Sequence, residues 1–66
     1  MNLLRGSNRI KPFCNDLAKI WSKLPDLRFG QLTYNLAMYV KQTYGKDIFY
    51  IEDEELLKLL EEYSNR

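Results

Sequence analysis

The sequence predicts an all-α protein, a compact three-helix domain with a short extended connector before the last helix. In three segments the apolar residues recur at spacings of three and four, which is typical of helices with one buried face. Between the second and third segments, residues 48–51 have a β-like composition, but the run is short and has no second strand to pair with. We expect residues 1–7 to be a flexible N-terminus and residues 8–64 to form a single helical domain.

The chain length limits how this domain can be stabilised. With 66 residues, 45% hydrophobic and 29% charged, the chain is globular and has room for one domain with a marginal core. One cysteine excludes an internal disulfide, and the absence of histidine leaves no common zinc ligand set. The sequence therefore predicts no cofactor and no metal, and either very good helix packing or association with a partner.

The first helix is predicted over residues 8–24. Ser7 or Asn8 is its expected N-cap, and Pro25 ends it because the residue before a proline is disfavoured in the α region. Cys14 lies on the apolar side, so we expect it to be a small core residue. The apolar positions of this helix are Ile10, Phe13, Cys14, Leu17, Ala18, Ile20, Trp21 and Leu24.

The second helix is predicted over residues 28–44, after a turn at residues 25–28. Gly45 is expected to end it in the left-handed conformation that favours glycine. Met38 falls nearly opposite the inner side of this helix, with Tyr34 beside it, at about 100° per residue. The inner side carries Phe29, Leu32, Leu36, Val40 and Tyr44.

The third helix is predicted over residues 53–63, following a connector over residues 47–51 that inserts Phe49 and Ile51 into the core. With Glu52 as the N-cap, Ile51 and Leu56 occupy the two positions of a hydrophobic staple. The predicted core consists of Leu17, Trp21, Phe29, Leu36, Val40, Phe49, Ile51, Leu56 and Leu60.

No residue pattern of an enzyme is present, and we predict no catalytic residues. General acid–base catalysis commonly uses histidine, which the chain lacks. The acidic residues 52–55 stand at a helix start, where negative charge is favoured without any chemistry. The three glycines are too far apart to form a phosphate-binding loop.

Charge is distributed unevenly along the chain. Residues 1–46 hold eight basic and two acidic residues, a net charge of +6, whereas residues 47–66 hold two basic and seven acidic residues, a net charge of −5. One interpretation is a solvated surface whose two halves attract each other modestly. The other is head-to-tail association, or docking of the basic part on an acidic partner or nucleic acid.

The outer side of the second helix is the first candidate for function. Tyrosine and methionine are enriched in interface cores, so Tyr34 and Met38 predict a non-enzymatic module for protein–protein interaction or self-association. Gln31 on the same helix and Arg28 in the preceding turn complete the predicted binding set. The competing interpretation is that the second helix is central and buries both of its sides within the monomer.

Nucleic-acid binding is the alternative function, through the basic face of the first two helices. Lys11, Lys19 and Lys23 form the candidate stripe. The third helix is acidic, so it would repel a phosphate backbone, and the second helix carries little positive charge.

Two motifs, PDLRFGQL at residues 25–32 and DIFYIEDEELLKLL at residues 47–60, follow a helix that carries Trp21. With these motifs the chain resembles a group of small bacterial and phage proteins of uncharacterised function. They share a tryptophan-bearing first helix, PDLR-x-GQL and FYIED-x-ELL. The resemblance implies a compact helical fold and a mobile-element origin, and it implies no site residue.

The sequence also predicts where the protein is located. Residues 1–9 lack the apolar core of a secretory signal, and no apolar run approaches the roughly 20 residues of a membrane span. A lone cysteine is typical of a reducing compartment. We therefore expect a cytoplasmic protein that does not bind membranes.

Overall fold

The computed structural model describes residues 6–66, and within them the predicted fold class is confirmed. Three α-helices follow one another: α1 (Ile10–Trp21), α2 (Phe29–Tyr44) and α3 (Asp53–Ser64). Two short 3₁₀ turns, Ser7–Arg9 and Ile48–Tyr50, precede α1 and α3, and this part of the chain contains no strand. Most of the predicted flexible N-terminus, residues 1–5, lies outside the described residues.

Helix α1 is shorter than predicted at both ends. It begins after a 3₁₀ turn, with Arg9 rather than Ser7 or Asn8 at the N-cap position and no side-chain cap. At the other end the backbone hydrogen bonds span three residues, as in a 3₁₀ turn. The Lys23 N–H donates to the Ile20 carbonyl at 3.0 Å, and the Leu24 N–H donates to the Trp21 carbonyl at 2.8 Å. Proline at position 25 disfavours a regular last turn, which explains why α1 ends at Trp21.

Helix α2 begins and ends close to the predicted residues. The Gln31 side-chain carbonyl accepts a hydrogen bond from the Arg28 N–H at 2.8 Å, which satisfies a backbone donor at the helix start. Gly45 has φ +70°, and its N–H donates to the Lys41 carbonyl at 2.9 Å. The predicted left-handed glycine cap is therefore confirmed.

The connector before α3 is a 3₁₀ turn, so the prediction of an extended segment is wrong. The Asp47 carboxylate accepts a hydrogen bond from the Phe49 N–H at 2.9 Å, and the Ile51 N–H donates to the Ile48 carbonyl at 3.1 Å. A 3₁₀ turn has three residues per turn, so Ile48 and Ile51 share one side and pack against the core. Phe49 points away from it and is 81% exposed, so its predicted core position is also wrong.

The core is small and comes from all three helices. Of the predicted core, Leu36, Val40 and Leu60 are buried, whereas Phe29 at the start of α2 is 53% exposed, so its prediction is wrong. Cys14 is exposed as well, so its predicted core position is also wrong. In α1 the buried residue is Ile20. Four predicted residues pack half-buried against the core: Leu17, Trp21, Ile51 and Leu56. The buried residues are Ile20, Leu32, Leu36, Val40, Leu59 and Leu60.

The single tryptophan links the end of α1 to the turn that follows it. The indole N–H of Trp21 donates to the Leu27 carbonyl at 2.9 Å, and its ring centroid lies 5.6 Å from that of Phe29. The PDLR turn is therefore held between α1 and α2. None of the helices in residues 6–66 combines the length and the apolar character needed to cross a bilayer.

Candidate interaction surface

Two of the four predicted binding residues lie together in one surface depression. Tyr34 is 66% exposed and Met38 is 38% exposed, on the side of α2 away from the buried residues. The C-terminal part of α3 forms the other wall. We call this depression the tyrosine face. It is lined by Tyr34, Asn35, Met38, Tyr39, Gln42, Tyr63 and Arg66.

Aromatic stacking joins α2 to α3 across the tyrosine face. The ring centroids of Tyr39 and Tyr63 lie 5.5 Å apart, within the range of favourable aromatic pairs. The Arg66 guanidinium lies 4.9 Å from the Tyr39 ring centroid and 5.7 Å from that of Tyr63, close enough for cation–π attraction to both. The wall of the depression is thus fixed by contacts within the chain.

One carboxylate holds two tyrosine hydroxyls beside this stack. The hydroxyls of Tyr39 and Tyr44 both donate to the same oxygen of Glu62, the second at 2.6 Å. These hydrogen bonds hold the pKa of Glu62 below its ordinary value. Hydrogen bonding to the Glu62 carboxylate also raises the pKa of Tyr39, and raises that of Tyr44 to about 12. The two hydrogen bonds also set the directions of both hydroxyls.

Arg28 and Gln31 do not line the tyrosine face. The Gln31 side chain caps the Arg28 N–H at the start of α2, so its carbonyl oxygen is already used within the chain. Gln31 lies one helical turn before Tyr34, on the neighbouring surface. The structure therefore separates the predicted binding set into Tyr34 and Met38, which share a depression, and Arg28 and Gln31, which mark the start of the helix.

The predicted basic stripe is interrupted by acidic side chains. Lys23 pairs with Glu61 of α3, and this hydrogen bond lowers the pKa of the Glu61 carboxyl. Lys19 lines a shallow groove that also contains Asp16 and Glu61. Lys11 is exposed on the first turn of α1. Part of the positive charge of the predicted stripe, that of Lys23 just after α1, is therefore neutralised by α3.

Two further ion pairs connect the basic and acidic parts of the chain. Arg9 pairs with Asp53 at 2.6 Å, and Lys46 pairs with Glu55 at 3.4 Å. All of these side chains are about half exposed, so each pair contributes roughly 0.2–1 kcal/mol. The basic residues of positions 1–46 thus pair with acidic residues of positions 47–66 within the monomer. This agrees with the first interpretation, in which the two halves of the chain attract each other modestly.

Sequence reasoning missed a pair of exposed aromatic side chains. Phe49 and Tyr50 are 81% and 80% exposed, with ring centroids 4.9 Å apart in an edge-to-face arrangement. The signal that could have found them is Asp47 followed by isoleucines at positions 48 and 51. An Asp cap with apolar residues three apart is the pattern of a 3₁₀ turn whose middle residues face outward.

Sequence reasoning also missed an apolar groove at the meeting of the three helices. Its volume is about 140 Å³, and its deepest wall residues, Leu32 and Leu60, are 1% and 3% exposed. We call it the three-helix groove. Its lining consists of Phe13, Leu17, Phe29, Leu32, Thr33, Leu36, Leu56, Leu57 and Leu60.

The described residues contain no cluster of three or more cysteine, aspartate or glutamate side chains arranged to hold a metal ion. Comparison with protein-family models, curated proteins and solved structures finds no match to this chain. The resemblance to small bacterial and phage proteins, and the mobile-element origin that it implies, therefore stay predictions.

Proposed function

We propose that this protein is a non-enzymatic interaction module that binds another protein chain through the tyrosine face. The observation that carries the proposal is the placement of Tyr34 and Met38, exposed on α2, beside the Tyr39–Tyr63–Arg66 stack in one depression. We also propose a cytoplasmic location, because the free, exposed thiol of Cys14 suits a reducing compartment.

The chemistry of the tyrosine face suits protein binding. Tyr, Met and Arg are the residue types enriched in the buried centres of interfaces. Tyr39 and Arg66 are held by contacts within the chain, so binding would cost little of their side-chain entropy. Tyr34 supplies a large, amphipathic ring that a partner can cover, and the thioether of Met38 adapts to irregular contacts.

Site-specific photo-crosslinking in cells tests this proposal. A photoreactive phenylalanine analogue at position 34 should capture a discrete protein, whereas the same analogue at the exposed position Asn15 of α1 should not. Adding Met38→Glu to the position-34 protein should lower the capture at least 10-fold, because it places a charge in the centre of the contact. Equal capture from positions 34 and 15 would contradict the proposal.

Self-association through the tyrosine face is tested with the same substitution. Size-exclusion chromatography with light scattering should show whether wild-type protein and Met38→Glu differ in mass. A wild-type monomer at every concentration, together with a Met38→Glu variant that changes no partner binding, would refute a role for this face.

Nucleic-acid binding by the basic face of the first two helices is the second proposal, and exposed Lys11 and Lys19 support it. It ranks below the first because Asp16 and Glu61 lie among these lysines. A mobility shift that weakens steeply with salt would support it. Absence of any shift at low salt would exclude it.

A further inference from the structure

The three-helix groove has the size and chemistry to receive an aliphatic side chain. Its volume is about 140 Å³, and its lining consists of leucine and phenylalanine residues with one threonine. The hydroxyl of that threonine, Thr33, already donates to the Gly30 carbonyl at 3.0 Å. An apolar cavity of about 150 Å³ holds benzene, which has six carbons, so the four-carbon side chain of a leucine fits the groove.

A depression rich in carboxylates adjoins the groove and shares two of its walls, Phe13 and Leu57. We call it the acidic depression, because its lining includes one base and four acids: Arg9, Asp16, Glu52, Asp53 and Glu54. A segment that covers the groove and extends over the acidic depression should therefore combine aliphatic side chains with a positive charge.

The first five residues of the chain, MNLLR, have this composition. Two leucines, Leu3 and Leu4, are followed directly by Arg5. The next residue is Gly6, whose carbonyl accepts a hydrogen bond from the Arg9 N–H at 3.5 Å. The described part of the chain thus begins one 3₁₀ turn before a residue that lines the acidic depression.

The chain is long enough for these leucines to reach the groove. Phe13 lies about 12 Å from Gly6 along the helix axis, at about 2.0 Å per residue in the 3₁₀ turn and 1.5 Å in α1. An extended chain spans about 3.3 Å per residue, so Leu3 can lie about 10 Å from Gly6. The Cα–Cβ bond of Phe13 tilts toward the N-terminus of α1, which shortens the remaining distance.

We propose that Leu3 and Leu4 cover the three-helix groove of their own molecule, and that Arg5 lies against the acidic depression. The order of the residues suits this placement, since Arg5 is next to Gly6 and the leucines lie farther along the segment. The inference goes beyond the proposed function because the groove is separate from the tyrosine face. It is also an alternative to the flexible N-terminus that the sequence predicts.

Covalent attachment favours this segment over a separate molecule as the occupant. A separate partner would lose translational and rotational freedom on binding, and so small a groove offers little contact to offset that loss. Residues 1–5 are already joined to α1, so their effective concentration at the groove is in the millimolar range or above. A contact too small to hold two molecules together is therefore sufficient within one molecule.

Urea unfolding followed by Trp21 fluorescence tests whether the leucines are covered. Replacing Leu3 and Leu4 together by serine should lower the urea midpoint by about 1 M or more, because the groove loses its cover. The matched control is the double variant Asn2→Ala and Ser7→Ala, which changes the same segment and keeps both leucines. Its midpoint should equal that of the wild type.

Disulfide formation tests where the segment lies. In a Cys14→Ser background, Asn2→Cys keeps both leucines and is combined with Thr33→Cys in the groove wall. The control combines Asn2→Cys with Asn35→Cys, which is also half-buried but lines the tyrosine face. Under mild oxidation at micromolar concentration, the pair with Thr33→Cys should close within one molecule about 10-fold faster than the control pair.

Three outcomes would overturn the proposal, and none of them depends on the tyrosine face. The first is an unchanged urea midpoint in the variant without the leucines. The second is equal rates of disulfide formation in the two cysteine pairs. The third is a disulfide at Thr33→Cys that joins two molecules instead of closing within one. Met38→Glu should leave both measurements unchanged, so the two proposals can fail independently.

Discussion

Replacing Leu32 by alanine tests the core most directly. Leu32 is 1% exposed on the inner side of α2. A fully buried Leu→Ala change costs about 2–5 kcal/mol, from lost burial and from the cavity left behind. A domain of 66 residues is expected to have a free energy of unfolding of about 3–10 kcal/mol. We therefore expect the substitution to remove a large share of the stability, or all of it.

Urea unfolding followed by tryptophan fluorescence measures this loss. Trp21 is the one tryptophan of the chain, and its indole hydrogen bond to Leu27 breaks when α1 separates from the following turn. With a slope of about 1 kcal/mol per molar urea, the midpoint should fall by about 2 M or more. The matched control is Phe49→Ala, which deletes more carbon atoms from an 81% exposed side chain. We expect Phe49→Ala to change the stability by less than about 0.5 kcal/mol.

The comparison of these two variants also has an outcome that refutes the reasoning. If Phe49→Ala lowers the free energy of unfolding as much as Leu32→Ala does, Phe49 is a core residue, as the sequence alone predicted. The 3₁₀ turn before α3, which turns the Phe49 side chain outward, would then be wrong.

The remaining predictions concern the helix ends and the tyrosines. Gly45→Ala should destabilise the protein by roughly 1 kcal/mol, since the φ angle of Gly45 is +70°. Gly30→Ala should stabilise it by about 0.5 kcal/mol, since the added Cβ would meet no atom within 4 Å. Thermal unfolding of both variants measures these changes. Glu62→Gln should lower the pKa of Tyr44 from about 12 toward 10, seen by ultraviolet titration. The stability that the Glu62 carboxylate contributes should be lost as pH falls below about 4.5, because its pKa in the folded protein is lowered. The stability that the neutral Tyr44 hydroxyl contributes should be lost as pH rises from 10 to 12, because its pKa in the folded protein is raised to about 12.

The helices were predictable because their signals are local. A helix needs apolar residues at the right period and a start and stop signal nearby, and α2 has all of these. Its inner residues Leu32, Leu36 and Val40 are buried, and Gly45 ends it as predicted. The staple of Ile51 and Leu56 also packs half-buried against the core.

Burial was less predictable because it depends on how much partner surface a small domain can offer. Helix α1 presents seven apolar positions from Ile10 to Trp21, yet only Ile20 is buried. With two other short helices to pack against, the chain cannot cover a stripe this wide. Cys14 satisfies the apolar period of α1 and remains exposed for this reason.

The tyrosine face was half predictable. The angular position of Tyr34 and Met38 on α2 follows from the helical period alone, and both are exposed in the structure. The convergence of Tyr39, Tyr63 and Arg66 depends on the approach of α3 to α2, which no local pattern encodes. Similarly, the shared hydrogen bonds to Glu62 require both tertiary placement and the exact end of α2.

The tyrosine face and the basic face of the first two helices differ in chemistry, and this difference makes them separable in solution. A nucleic acid on the basic face would release counterions from its phosphates, so binding there should weaken steeply with salt. The tyrosine face offers aromatic rings and a thioether beside two amides and the Arg66 cation, so a protein partner there should bind with a negative heat-capacity change and a weaker dependence on salt. Calorimetry across temperature and ionic strength can therefore assign a measured association to one surface or the other before any substitution is made.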